Sequence, residues 1–264
     1  MKRGKLIGIA LLASAALLAG VLLFRDANPG SKVESEVQAA VVERASGAPA
    51  AVSSPQGAES DVSAPAYTSP VDFETLWAMN PDVYAWLYIP DTEINYPVLQ
   101  RDGDDGYYLK HGSDGRSSAA GAVFTESAYN GKDFSDPATA IYGHHMKSGA
   151  IFGNLQALYS TPEGVKAHPD ITVYLPEREL HYRVFAAVPF DMRHILYYHD
   201  FSDPEQFQAF LDEVFSVRSI NASFDEEAEV TAEDQLLILS TCLQGNSKRR
   251  YLVLAVLTAE LPDS

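Results

Sequence analysis

Cysteine is nearly absent from this chain: of 264 residues only Cys242 is one. An intramolecular disulfide is therefore excluded, and so is a zinc site built on a cysteine pair. Basic residues are scarce as well. Lys and Arg together number 19 against 36 Asp and Glu, a formal net charge of −17, which argues against a nucleic-acid partner and against docking on an anionic lipid face. No internal repeat is evident. From Asp26 onward no aromatic residue occurs before Tyr67, and apolar residues recur with no sustained period. A segment of that kind, made mostly of Ala, Ser, Pro, Gly, Val and Glu, buries too little surface to offset its chain entropy. The reading over 26–70 is a disordered extracellular tether.

Long apolar runs are lacking too, with one exception. An uncharged stretch over residues 6–24 follows Lys2, Arg3 and Lys5 and ends at Arg25 and Asp26. It is close to the ~20 residues that cross a bilayer, and the bases before it keep its start in the cytoplasm. We read an N-terminal membrane anchor over 1–25: a single-pass protein of the cell membrane, partnered with the membrane through that helix, with its folded domain extracellular. A cleavable secretory signal competes, because Ala13-Ser14-Ala15 has the small-x-small form, but the triplet falls in the middle of the run, where a peptidase site does not belong. Either way Cys242 is an unpaired thiol in an exported domain.

Residues 71–264 are aromatic-rich and long enough for one well-buried domain. Most of it reads as strands. "INYPVLQ", "YYLKH", "AGAVFTE", "ATAIYG", "ITVYLP", "LHYRVFAAVPF", "QLLILSTC" and "RYLVLAVLTAEL" are short, rich in β-branched and aromatic residues, and separated by Gly, Asp, Asn or Pro. That many strands in one domain make a sandwich or a closed barrel. A helical turn or two around Phe73–Met79 opens the domain, capped near Asp72. The strong helix is "SDPEQFQAFLDEVFSVRS", whose Phe207, Phe210, Leu211, Val214 and Phe215 share one face, with Ser202 as N-cap. A shorter helix follows Ile151.

Cys242 stands at the C-terminal end of a buried-looking strand, and Arg250 opens the next apolar strand. If the chain reverses between them, the two meet at one end of the sheet, where a guanidinium reaches the oxyanion formed when a thiolate attacks a carbonyl. The bland readings are a space-filling buried thiol and a solvated basic loop over Lys248, Arg249 and Arg250. A cysteine nucleophile also needs a proton partner, usually histidine. Among His111, His144, His145, His168, His181, His194 and His199, only the pair in "IYGHHMKSGAIFGNL" combines a strand end, a glycine and a following loop. Neighbouring strand positions point to opposite faces, so the two histidines do not share one metal ion.

"LSTC" followed by Arg250 and an apolar strand resembles the cysteine signature of the sortases, membrane-anchored transpeptidases of Gram-positive bacteria. "IYGHHMKSGAIFGNL" is similar to the histidine motif of their class B members, as are "VYAWLYIPDTEINYPVLQ", "YYLKH" and "GAVF". The likeness spans residues 71–264. It implies a mainly β fold with added helices: the sortase-type eight-stranded β-barrel, with an N-terminal helix and a helix before the cysteine strand. It implies Cys242 as nucleophile, His144 as acid and base, and Arg250 as the essential arginine, with His145 and Arg249 as supporting neighbours. Tyr142, Ser240 and Thr241 fall where the family lines its peptide groove. Two positions depart from the pattern: Ile238 stands where a threonine is usual, and the acidic residue often seen after the cysteine is missing from "CLQGN".

The implied reaction is transpeptidation without a cofactor or metal. A sorting-signal peptide of an exported protein is cleaved after Thr, and the acyl group passes to an amine from a cell-wall precursor or a pilin lysine. Anchoring of surface proteins to the cell wall is the leading role; pilus polymerisation, an exported cysteine hydrolase and a non-catalytic binding barrel are the alternatives.

Overall fold

The computed structural model describes residues 29–46 and 67–262. The apolar run over 6–24 lies outside them. Among the described residues no helix is long and apolar enough to cross a membrane, and this overturns the expected placement as a single-pass cell-membrane protein with an extracellular domain.

Nine strands form one sheet: β1 Val83–Tyr88, β2 Asn95–Leu99, β3 Val123–Phe124, β4 Ala138–Tyr142, β5 Asp170–Tyr174, β6 Glu179–Phe190, β7 Ser223–Phe224, β8 Leu236–Leu243 and β9 Asn246–Leu261. Their order is β5-β1-β2-β3-β4-β8-β9-β6-β7, and a further pairing of β5 with β6 closes eight of them into a barrel, leaving β7 on its flank. The choice between sandwich and barrel falls to the barrel. Closure removes free strand edges and encloses a core of Leu87, Val98, Ile141, Tyr182, Leu239 and Val253, none more than 2% exposed.

Helices cover the outside, so strands such as β8 are buried on both faces and read as continuous apolar runs. Helix α6, Pro204–Ser216, seats Phe207, Phe210, Leu211 and Val214 against Ile238, Leu252 and Leu254. The isoleucine in place of the usual threonine thus packs beneath this helix. Its cap is Asp203, which accepts from Glu205 N at 3.0 Å, and not Ser202, whose hydroxyl instead donates to Asp200 at 2.6 Å. Phe215 lies at the edge of the buried face, against Phe185 and Phe224.

Two segments depart from expectation. "YYLKH" is a single 3₁₀ turn, Tyr107–Leu109, because only Tyr108 turns inward, donating its hydroxyl to Asp82 at 2.6 Å. The tether expected over 26–70 contains an 18-residue helix, α1, Pro29–Ser46, packed on the barrel. Val37 and Val41 are its buried contacts, flanked by Val33, a stripe one residue wide in which Val33 and Val37 have polar neighbours and Val41 lies between Ala40 and an exposed Val42. A stripe that narrow leaves no wide apolar face in the sequence. Reciprocal bonds between Gln38 and Asn95 fix its register: Gln38 Nε2 donates to Asn95 O at 2.8 Å, and Asn95 Nδ2 donates to Gln38 O at 3.1 Å.

A truncation at residue 70, which the tether reading treats as harmless, removes α1. Compared with truncation at residue 28, it is expected to lower the melting temperature by roughly 6–12 °C, from about 3 kcal/mol of lost valine burial. Equal melting temperatures for the two proteins would show that α1 adds no stability.

Candidate active site

The parallel pairing of β4 with β8 sets Tyr142 opposite Ser240. Two residues further along each strand, His144 and Cys242 therefore emerge at the same rim of the barrel. Arg250 arrives from β9, which pairs antiparallel with β8 and puts it directly across from Cys242. The turn between the two strands is tight, with Gly245 at φ +77, a left-handed conformation that glycine supplies without strain. Beyond Cys242 the register shifts, so that Leu243 pairs with Asn246. The three residues Ser247–Arg249 form a bulge, and the basic cluster belongs to the strand and not to a free loop. Lys248 is exposed on it. Arg249 turns away and donates from Nε to Phe190 O at 3.3 Å.

Arg250 Nη1 donates to Cys242 Sγ at 3.1 Å, and the thiol is half-buried. His144 Nε2 lies 2.9 Å from the carbonyl oxygen of Leu109. A carbonyl only accepts, so Nε2 carries the hydrogen in that bond, and Nδ1 is the ring nitrogen left to exchange a proton. Gly121 backs this arrangement. At φ +63 its missing Cβ would stand 2.5 Å from Tyr108 O and 3.0 Å from His144 Cδ2. Gly121→Ala is expected to shift the Leu109 carbonyl and the ring together, and to cost about a hundredfold in acylation rate. A normal rate in single-turnover kinetics would remove Gly121 from the support of His144.

Cys242, His144, Arg250, Tyr142, Ser240 and Thr241 line one cavity of about 220 Å³. All the expected site residues are thus brought together. His145 does not line it and instead bridges to Ile151. A larger cavity of about 360 Å³ lies between α1 and the 112–123 segment and is lined by neither the thiol nor His144. No group of three or more His, Cys, Asp or Glu among the described residues is placed to hold a metal ion.

The thiol cavity also contains residues that the sequence did not single out: Leu109, Phe124, Glu126, Met192 and His194. Glu126 Oε2 sits 2.6 Å from His194 Nε2. Burial pushes the Glu126 carboxyl up, opposed by the neighbouring His194 ring. Burial also raises Tyr142 well above the ordinary phenol range, and the nearby Glu126 carboxylate adds to it. Glu126 lies two residues beyond "GAVF" and was within reach of the motif. His194 had no signal to distinguish it from the other histidines.

The chain that folds into this barrel is similar to known proteins. The family model for the sortase domain matches residues 87–258. The chain belongs to the sortase family. Sortase B of Listeria monocytogenes is 31% identical over 173 residues, which cover 65% of this chain and 67% of that one. A crystal structure of sortase B from Bacillus anthracis superposes with a TM-score of 0.64 at 27% identity, over 86% of this chain and 94% of that one. A substrate complex of Staphylococcus aureus sortase B gives a TM-score of 0.60 at 26% identity, over 70% and 84% of the two chains. This sortase is of class B, and its activity is that of a cysteine transpeptidase.

Proposed function

We propose that the protein cleaves the sorting-signal peptide of an exported protein after a threonine and transfers the acyl group to an amine, anchoring surface proteins to the cell wall. The contact of Arg250 with Cys242 Sγ at 3.1 Å carries the reading. It supports Arg250 as a planar donor fork for the negative charge that develops on the attacked carbonyl. The Staphylococcus aureus relative solved as a substrate complex supports substrate binding by this fold.

In this scheme the Cys242 thiolate adds to the threonine carbonyl, and Arg250 stabilises the oxyanion. As the tetrahedral adduct collapses, the C–N bond breaks and His144, protonated, gives the Nδ1 proton to the departing amine. A thioester remains. The acceptor amine then adds to it while Nδ1 takes back a proton, and loss of the thiolate completes a new amide. Throughout, Leu109 O holds Nε2–H and fixes the plane of the ring.

Mass spectrometry of the enzyme after exposure to a sorting-peptide library tests this. An adduct with the mass of the peptide acyl group up to threonine is expected, discharged as an amide when an amine is added. Discharge only to the free acid would favour the hydrolase, and no adduct would sink the reading. His144→Ala is expected to cost several orders of magnitude in acylation and His145→Ala far less, since only His144 lines the cavity. The opposite ranking would show that the wrong histidine has been assigned.

A further inference from the structure

The thiol cavity holds polar groups that acyl transfer does not use. Glu126 follows β3 and its side chain is only 16% exposed. Its carboxylate receives a hydrogen bond from His194 Nε2 at 2.6 Å. The His194 ring is fixed at its other nitrogen, because Nδ1 accepts from Tyr197 N at 3.2 Å and so caps the short helix α5, Ile195–Tyr198. With Nδ1 an acceptor, Nε2 must be the N–H that Glu126 receives. With both nitrogens engaged, the imidazole is a rigid support for the carboxylate. Tyr129 and Tyr142 hold it from the sides, with ring centroids at 4.6 and 6.1 Å.

At this end of the cavity the carboxylate keeps acceptor capacity open. A carboxylate has two oxygens and room for several donors. His194 supplies one, and the buried Tyr142 hydroxyl is its other hydrogen-bonding neighbour. Glu126 nevertheless lines the thiol cavity, so a donor group entering that cavity meets a carboxylate oxygen with lone pairs still to share.

We propose that Glu126, held in place by His194, is a substrate-selecting carboxylate that accepts a hydrogen bond from an N–H donor group entering the cavity. This rests on the transpeptidase reading, which supplies two sources of such a group: a side chain of the sorting peptide, or the acceptor amine itself. Glu126→Gln is the informative variant. It keeps the shape and an oxygen for His194, but replaces the free acceptor with a donor.

Binding to the Cys242→Ala protein, measured by titration calorimetry, reads the selectivity without requiring turnover. One pair of probes is sorting-type peptides that differ at a single side chain, asparagine against leucine or lysine against norleucine, moved through each position. The other is glycinamide against N-acetylglycinamide. The member with the donor side chain, or with the free amine, is expected in at least one pair to bind about 10- to 100-fold more tightly, a typical range for a hydrogen bond to a charged group. Glu126→Gln is expected to bring that ratio to within about threefold. A collapse in the peptide pair identifies the sorting peptide as the source, and a collapse in the amine pair identifies the acceptor. No discrimination by the parent protein, or an equal loss for both members of each pair in Glu126→Gln, overturns the proposal. Because binding is read apart from acylation, its failure is distinct from failure of the catalytic scheme.

Discussion

Cys242→Ala is expected to eliminate acyl-enzyme formation completely while the protein melts within about 2 °C of the parent. The loss is chemical: no other cysteine exists in the chain, and an alanine methyl offers no lone pair to attack a carbonyl. The small effect on folding follows from where the sulfur lies. It is half-buried at the rim, beyond the apolar run from Leu236 to Leu239 that fills both sides of β8, so little packing is given up. Single-turnover labelling with a peptide the parent accepts, followed by mass spectrometry, makes the measurement. Residual acylation within tenfold of the parent would remove Cys242 from the nucleophile's role.

Arg250→Lys is expected to fall nearly as far as Arg250→Ala, by about a hundred- to a thousandfold in acylation rate, or roughly 3–4 kcal/mol. A lysine restores the charge but not the planar fork, and its compact ammonium does not reproduce the reach of Nη1 to the thiol. The neighbouring bases set the control. Lys248 is exposed on the bulge and Arg249 is spent on the Phe190 carbonyl, so alanine at either position is expected to stay within about tenfold of the parent. The comparison is made at fixed ionic strength, since a chain of net charge −17 responds to salt on its own account. Near-normal rates for Arg250→Lys, or a larger loss at Arg249, would reassign the oxyanion partner.

These contrasts show what a sequence exposes and what it hides. Cys242, His144 and Arg250 are side chains with chemical signatures at strand ends, and the alternation of apolar and turn residues was enough to put them there. The barrel itself was only half legible, because strand composition does not say which strand pairs with which. The β5–β6 closure and the parallel β4–β8 pairing are long-range facts without a local mark. Helix α1 escaped for a different reason: its few buried valines derive their effect from a surface the barrel provides, and alone they would not hold a helix in water. The 3₁₀ turn at Tyr107–Leu109 escaped because paired tyrosines favour strands on average, and here a single buried hydroxyl bond to Asp82 decides otherwise.

The hydrogen bond from His144 to the Leu109 carbonyl has a consequence for how such a site drifts over time and how it responds to scanning mutagenesis. A main-chain oxygen is present whatever residue occupies the position, so side-chain replacement at 109 leaves the acceptor in place, and a library of such replacements will pass over it in silence. The selective pressure moves instead to whatever fixes the path of the backbone. At this rim that is Gly121, whose absent side chain gives Tyr108, Leu109 and His144 room to meet. The group that aims the histidine is therefore inherited through a glycine twelve residues away from it, a dependence that a residue-by-residue catalogue of active-site side chains does not contain.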